Sequence, residues 1–365
     1  VIDPSVHASR LDALAMRLEP DEVAAITPGA GLRYLTGYDA LPLERLTCLV
    51  VTATDRWLVV PRLEEPAAHA SAVGSLGVVI LPWDETDDPI DLIAGRIGSP
   101  PRLWIDDTMV AAKVLAFRDA FPSSTLALAG THLDALRAVK SAAECEALRE
   151  AGRAIDEVHA RMGEWLRAGR TEREVGRDIA DAILAAGHER VDFVIVASGP
   201  NGASPHHEVS DRVIEAGDPV VVDIGGTMPS GYCSDCTRTY AVGTPDDEFL
   251  AAYAALQSAQ AAAVDAARPG MTGEALDQVA RAILTDAGLG DVFIHRTGHG
   301  IGLSTHEEPY IVAGNVDPLA AGNAFSIEPG FYVAGRWGAR IEDIVLLHDD
   351  GAESVNHQTH DLVIL

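Results

Sequence analysis

Twice along this chain an acidic residue interrupts an apolar strand, and each time a second acid lies equally far beyond a turn. In VVVDIGGTMPSGYCSDCTRTY, Asp223 and Asp235 are equidistant from Pro229, within the turn-forming MPSG. In SIEPGFYVAGRWGARIED, Glu328 and Glu342 are equidistant from Gly335, inside a turn of glycines. Antiparallel hairpins centred on those residues would set each pair face to face on one side of a sheet. Cross-strand neighbours lie about 4.5–5.5 Å apart, a range at which like charges repel. Strand carboxylates are more often solvated, yet VVVDIG and FSIEPG place these acids where core residues are expected. Buried together they cannot stay unpaired, because desolvating even one isolated charge is expensive.

The chain offers no lysine or arginine cluster nearby beyond Arg238 and Arg340. Two divalent cations would balance four carboxylates. An oxygen-rich set with one nitrogen suits Mn²⁺, with Zn²⁺, Co²⁺ and Fe²⁺ as alternatives. The nitrogen is sought in IHRTGHGIGLSTHEEP, which carries His295, His299 and His306. Histidines four apart on a helix would suggest zinc, but Gly298, Gly300 and Gly302 argue against a helix, so this stretch reads as strand and loop.

The length of 365 residues exceeds one ordinary core and fits two domains. The first 130 residues alternate strand-like and helix-like segments, an α/β pattern with nothing resembling a phosphate loop. Beyond them Ser141 with Glu144 makes a capping box opening a helix through about Arg167, and Thr171 with Glu174 opens another that stops at Gly187. Strands follow, then two more helices, the histidine stretch and a final strand pair. Helices then strands, twice over, predict a duplicated unit in residues 140–365, repeated in pattern and not in letters. The fold class is α/β (α+β), with domains expected at 1–132 and 133–365.

The net charge of −28, from 55 acidic against 27 basic residues, excludes nucleic-acid binding driven by counter-ion release. No apolar run approaches the roughly 20 residues that span a bilayer, so no membrane partner is expected. The opening VIDPSVHASRLDALAMRLEP lacks the apolar core of a signal peptide, and a cytoplasmic protein is expected. Cys48, Cys145, Cys233 and Cys236 are no disulfide framework. The last two form a CxxC inside a predicted strand, where residues three apart face opposite sides, so they read as unrelated packed thiols.

Asp223, Asp235, His299, Glu328 and Glu342, in that order within DIGG…SDCTRTY, GHGIGLSTHE, SIEPG and RIED, resemble the five metal ligands of the pita-bread metallopeptidases. That family includes methionine aminopeptidase, aminopeptidase P and prolidase. The resemblance covers the C-terminal half, and the N-terminal domain resembles the creatinase-like domain of the proline-specific branch. It implies that Asp223 chelates one metal, that Asp235 and Glu342 bridge the pair, and that His299 and Glu328 complete the second. It further implies that Glu328 exchanges the proton of a bridging water or hydroxide. His206, in ASPHHEVSD, aligns with a histidine near the scissile peptide, His306 with one that stabilises the tetrahedral intermediate, and His295 with a further active-site histidine. Gly298 and Gly300 are expected to let the backbone pass close to the metals. A homodimer is implied, with the N-terminal domain shaping substrate access.

The implied activity is hydrolysis of the bond before proline by an Xaa-Pro dipeptidase, with aminopeptidase P, acting on longer peptides, as the alternative. One position departs from the pattern: some prolidases carry an arginine after HExP for the substrate carboxylate, and here it is Tyr310. A metal-free creatinase-type hydrolase or an inactive binding module on the same fold would have lost several ligands, and all five are present. A cation-buffering protein would need no histidines near the metals. Arg340 shares a strand face with Glu342 and pairs with a ligand carboxylate or, as a second reading, holds a substrate carboxylate. His207 reads as surface or packing, His188 as structural, His357 and His360 as solvated tail, and Tyr310 and Tyr332 as pocket wall or core. SGPNGAS lacks a phosphate-loop lysine, and GHGIGL lacks dinucleotide spacing.

Overall fold

The computed structural model describes residues 4–365, which fall into two compact units divided between Arg137 and Ala138. The first is built on a six-stranded sheet. Its order is Val79–Trp83, Arg56–Pro61, Cys48–Val51, Val23–Ile26, Arg102–Ile105 and Thr125–Leu128. Pairing is antiparallel on both sides of Cys48–Val51 and parallel elsewhere, the mixed sheet of an α/β domain. The central Val23–Ile26 has no strand signature in sequence. VAAI is short and half alanine, a poor strand former, and its burial between two paired neighbours overrides that propensity.

In the second unit both capping boxes form as expected. The first helix is Ala142–His159, ending before Arg167, because Met162 and Leu166 turn into the core through a short 3-10 segment. After the helix Glu172–Ala185 comes an antiparallel sheet of Arg190–Ser198, Pro219–Thr227 and Cys233–Ala241, with Val363–Ile364 added in parallel at its edge. The second half repeats the order. Helices Asp247–Ala266 and Gly273–Asp286 precede a sheet ordered Glu307–Ile311, Gly298–Gly300, Ala324–Ile327, Asp343–His348 and Gly351–Ser354.

The duplication also shows in letters at one place. Arg167-Ala168-Gly169-Arg170-Thr171 and Arg268-Pro269-Gly270-Met271-Thr272 lead into the second helix of each half. Gly169 and Gly270 have φ of 89° and 86°, a left-handed backbone that favours glycine. Their amides donate to Ile214 O and Leu319 O, and Thr171 and Thr272 both cap their helices.

Strand alternation aims the acids. Val220, Val222, Ile224, Cys236 and Tyr240 pack against the first helix pair, and Phe325, Ile327, Val345 and Leu347 against the second. With a side-chain period of two, Asp223, Asp235 and Thr237 turn to the other face. Each fully buried branched chain in those rows contributes about 1.5–3 kcal/mol, and a one-residue slip would drive the acids into the helices. Cys233 and Cys236 are buried free thiols on the strand, as read. Among the described residues no helix is long and apolar enough to cross a membrane.

Candidate metal centre

The two acidic hairpins differ in register. In the first, Asp223 lies opposite Thr237 and Asp235 opposite Gly225, so the aspartates are diagonal neighbours on one face and not directly opposed. The turn is centred on Ser230 instead of Pro229, because Gly231, with φ 90°, takes the left-handed position and donates to Met228 O. Asp223 therefore faces a hydroxyl instead of a like charge. In the second hairpin the register does centre on Gly335, with Gly330 opposite Arg340 and Ile327 opposite Asp343. Its ladder breaks at the acids. The Glu328 amide donates to Thr297 O at 2.8 Å and the Glu342 amide to Thr237 O at 3.1 Å. Those bonds tie the glutamates to the histidine stretch and to the aspartate hairpin.

Asp235, His299 and Glu342 are buried and present ligand atoms all within 4.8 Å of one another. His299 Nε2 lies 3.7 Å from Asp235 Oδ2 and 3.2 Å from Glu328 Oε1. Its Nδ1 donates to Gly300 O at 3.1 Å, which leaves the Nε2 lone pair facing the acids. The flanking glycines serve a neighbouring backbone: a Cβ at Gly298 would collide with Ser326 O, and one at Gly300 with Glu308 O. Glu342 Oε2 accepts from Thr237 Oγ1 at 2.7 Å and Glu328 Oε1 from Ser326 Oγ at 3.0 Å. Asp223 Oδ2 accepts from Arg340 Nη2 at 2.5 Å, while its Oδ1 is buried with no partner.

Burial, then the mutual repulsion of the carboxylates, pushes Asp235 and Glu342 well above the usual range. Burial also raises Glu328 to about 7, with Arg340 opposing and Asp223 adding. Burial, with the His306 ring beside it, lowers His299 to about 3. Arg340 lies among these acids, whereas Arg238 turns to the opposite sheet face and pairs with Asp343 at 2.8 Å. An orphaned buried acceptor, four carboxylates and one aimed imidazole nitrogen fit divalent cations.

Residues 146–349 match the metallopeptidase family M24, and residues 10–139 match the creatinase/prolidase N-terminal domain. The chain belongs to metallopeptidase family M24. It is 52% identical to the probable dipeptidase PepE of Mycobacterium tuberculosis over 368 residues, covering 100% of this chain and 98% of that one. It is 35% identical to the Xaa-Pro dipeptidase of Lactobacillus helveticus, covering 97% and 98%. The crystal structure of dipeptidase PepE from Mycobacterium ulcerans superposes with a TM-score of 0.95 at 52% identity, covering 100% and 99%. The fold is accordingly a creatinase-like N-terminal domain followed by the pita-bread domain.

Beside the centre this M24 metallopeptidase has a cavity of about 1180 Å³, lined by all five implied ligands and by His206, His295, His306 and Arg340. His206 and His306 are exposed there, and the His306 ring stands edge-on to His299 with centroids 4.0 Å apart. His295 is more committed. Its Nε2 meets the Tyr332 hydroxyl at 2.8 Å and its Nδ1 the Arg296 carbonyl at 2.7 Å. Tyr332 in turn accepts from Arg340 Nη1 at 2.7 Å, so a residue read as wall or core is the joint between two site residues. Arg340 Nε donates to Thr237 Oγ1 at 3.0 Å, which leaves each of its nitrogens with an acceptor in the protein.

The sequence reading missed several groups. Glu172 is fully buried and accepts from Ser198, Asn201, Ser210 and His207, thereby holding the loop that carries His206. In sequence it is one more acid in a helix's first turn. Lys140 and Glu307 form a buried pair at 2.8 Å, one residue from His306. His360 is not a solvated tail residue, because its Nε2 bonds Asp343 Oδ2 at 2.9 Å. His357 is exposed, and His188 is buried against Ser234.

Proposed function

We propose that this metallopeptidase is an Xaa-Pro dipeptidase that holds two divalent ions, Mn²⁺ foremost, through Asp223, Asp235, His299, Glu328 and Glu342. The observation that carries the reading is the buried cluster of Asp235, His299 and Glu342, with Glu328 Oε1 3.2 Å from His299 Nε2 and Asp223 Oδ1 left unpartnered. The name of the Lactobacillus helveticus relative supports the proline preference. When bound, the ions supply Lewis acidity and a water acidic enough to give a nucleophile at neutral pH.

This chain's own groups do the rest. Glu328, whose Oε1 lies 3.2 Å from His299 Nε2, would accept a proton at its carboxylate and return it to the leaving amine. His306, whose ring centroid is 4.0 Å from that of His299, faces the same cavity, and its N–H would stabilise negative charge developing on the attacked carbonyl oxygen. His206, across the cavity, positions the peptide. Arg340 and His295, whose donors and acceptors are already engaged, act as positioning residues for Asp223 and Tyr332.

Aminopeptidase P activity is the second reading, favoured by Tyr310 where some prolidases carry arginine. Metal-stripped protein reloaded with Mn²⁺ should release proline from Ala-Pro and should cleave Ala-Pro-Ala much more slowly. Faster release of alanine from Ala-Pro-Ala than from Ala-Pro would establish the second reading. Failure to cleave either with Mn²⁺, Co²⁺, Zn²⁺ or Fe²⁺ would sink both.

A further inference from the structure

His306 opens into the cavity, and the next side chain, Glu307, is buried. Glu307 Oε1 accepts from Lys140 Nζ at 2.8 Å, with the lysine side chain 1% and the glutamate 6% exposed. Stability does not account for such a pair. Desolvating two charges costs about what their attraction returns, and apolar residues of similar volume are commonly as stable or more so. What an ion pair adds is specificity: it holds two stretches of backbone at one separation and in one register.

The Lys140 end is fixed independently. Its amide donates to Gly322 O at 2.7 Å, Val139 bridges Asn323, and Asn323 Nδ2 donates to Ala138 O at 3.0 Å. Glu307 begins the strand Glu307–Ile311 opposite Gly300, the neighbour of His299. Residues 301–306 turn over the glutamate. Gly302 makes room for it, since a Cβ there would stand 2.5 Å from Glu307 Oε1. The Gly302 carbonyl accepts from the Cys233 amide at 2.9 Å, which ties the near end of the turn to the aspartate hairpin. The far end is His306, its ring edge-on to His299. A carboxylate drawn to Lys140 therefore fixes the peptide from which His306 projects.

We infer that the buried Lys140–Glu307 pair positions His306. Neither residue is among those lining the cavity, so both are positioning residues that act through the backbone between 306 and 307. The inference rests on the peptidase reading above, in which the His306 N–H meets the attacked carbonyl oxygen. The effect is confined to one histidine. His206 lies on the loop held by Glu172, and His295 is held by Tyr332.

The test removes both charges at once, because losing one alone would strand the other. Lys140→Met/Glu307→Gln keeps side-chain volume nearly constant. In chelator it should melt at or above the native temperature, and its Mn²⁺ content should be unchanged. On Ala-Pro its kcat should fall about 10- to 100-fold with KM within about twofold, since misplacing a group by about 1 Å costs up to 10²-fold. In a His306→Ala background the same double change should cost less than about twofold more, because residues acting as a unit are not additive. In Zn²⁺-loaded protein the His306 imidazole resonance, assigned by its absence from His306→Ala, should shift while that of His206 stays. Should the double variant not fold, Glu307→Asp keeps the charge, shortens its reach by one methylene and should lower kcat in the same way.

Native kcat in these variants would overturn the inference, as would an equal fold-loss with and without His306 or an unmoved His306 resonance. Activity, metal content and melting temperature falling together would make the pair structural and overturn it too. Should the native protein cleave no peptide, or His306→Ala be too slow to measure, the resonance alone decides the positioning, and the peptidase reading stands or falls separately.

Discussion

Glu342 and Asp343 are consecutive, 2% and 1% exposed, and electrostatically opposite. Glu342 is pushed well above the usual carboxylate range by burial and by Glu328 and Asp223. Asp343 pays the same burial penalty, yet it is held below its ordinary value by His360 and Arg238, with Gln260 also in reach. Glu172 repeats the second case, its burial outweighed by bonds from Ser210 and Ser198. Away from the centre the protein supplies donors to such acids. At the centre it gathers four carboxylates around one guanidinium and leaves Asp223 Oδ1 with nothing. The difference is not depth of burial but where compensation comes from, and at the centre it must come from outside the chain.

The largest effect that can break this comparison is removal of one central acid. Asp235→Ala should reduce peptidase activity to background and abolish the rise in melting temperature on adding Mn²⁺. In chelator, however, the same variant should melt higher than the native protein, because it removes an uncompensated charge. Each kcal/mol gained shifts Tm by about 2–4 °C at this domain size. A lower melting temperature in chelator would mean the acids are already balanced by the protein, and the argument for ions would fall.

Asp343→Ala should behave in the opposite way. It leaves Arg238 buried without its carboxylate, a change that costs about 3–5 kcal/mol. Melting in chelator and in Mn²⁺ should drop together. A drop confined to the metal-loaded protein would place Asp343 functionally in the centre instead of behind it.

The two regions should also respond to pH with opposite sign. An acid whose folded pKa is raised contributes stability below its unfolded pKa and loses it as pH climbs through the folded value. For Glu328 that window runs from its ordinary 4.5 to about 7, with Asp235 and Glu342 extending the loss upward. Asp343 and Glu172 are lowered, so their contribution is present above the ordinary value and lost as pH falls. Metal-free protein should therefore lose melting temperature between about pH 5 and pH 7, Glu328→Gln should flatten that loss, and Mn²⁺ should remove it. Equal stability of metal-free protein across the window would contradict the raised values.

Sequence spacing carried much of the centre because each pair of acids belongs to one hairpin. Symmetry about Gly335 gave the glutamate register, since the turn there is centred on the glycine itself. Symmetry about Pro229 missed by two residues, because Gly231 and not Pro229 sets the turn, and an even slip preserves the face while losing the opposition. Groups whose partners are remote were illegible. Glu172 meets Ser198, Asn201, His207 and Ser210, and Tyr332 meets His295 and Arg340, contacts made only once sheets and loops have assembled. The same holds for Val23–Ile26, whose strand state comes from its neighbours and not from its letters.

The smallest effect tests where the compensated region ends. Tyr332→Phe removes the hydroxyl between Arg340 and His295 and leaves the aromatic packing in place. Arg340 keeps Thr237 and Asp223, so its charge stays among the acids and metal content should not change. What is lost is one buried hydrogen bond on each side of the phenol, together about 2 kcal/mol, or at most roughly a 30-fold fall in kcat with KM little altered. Such a result would make Arg340 a fixed part of the scaffold, oriented by the protein as Arg238 is. A fall as deep as that of Asp235→Ala, accompanied by loss of metal, would instead put the Tyr332 hydroxyl inside the centre and move the line between the two regions outward by one shell of residues.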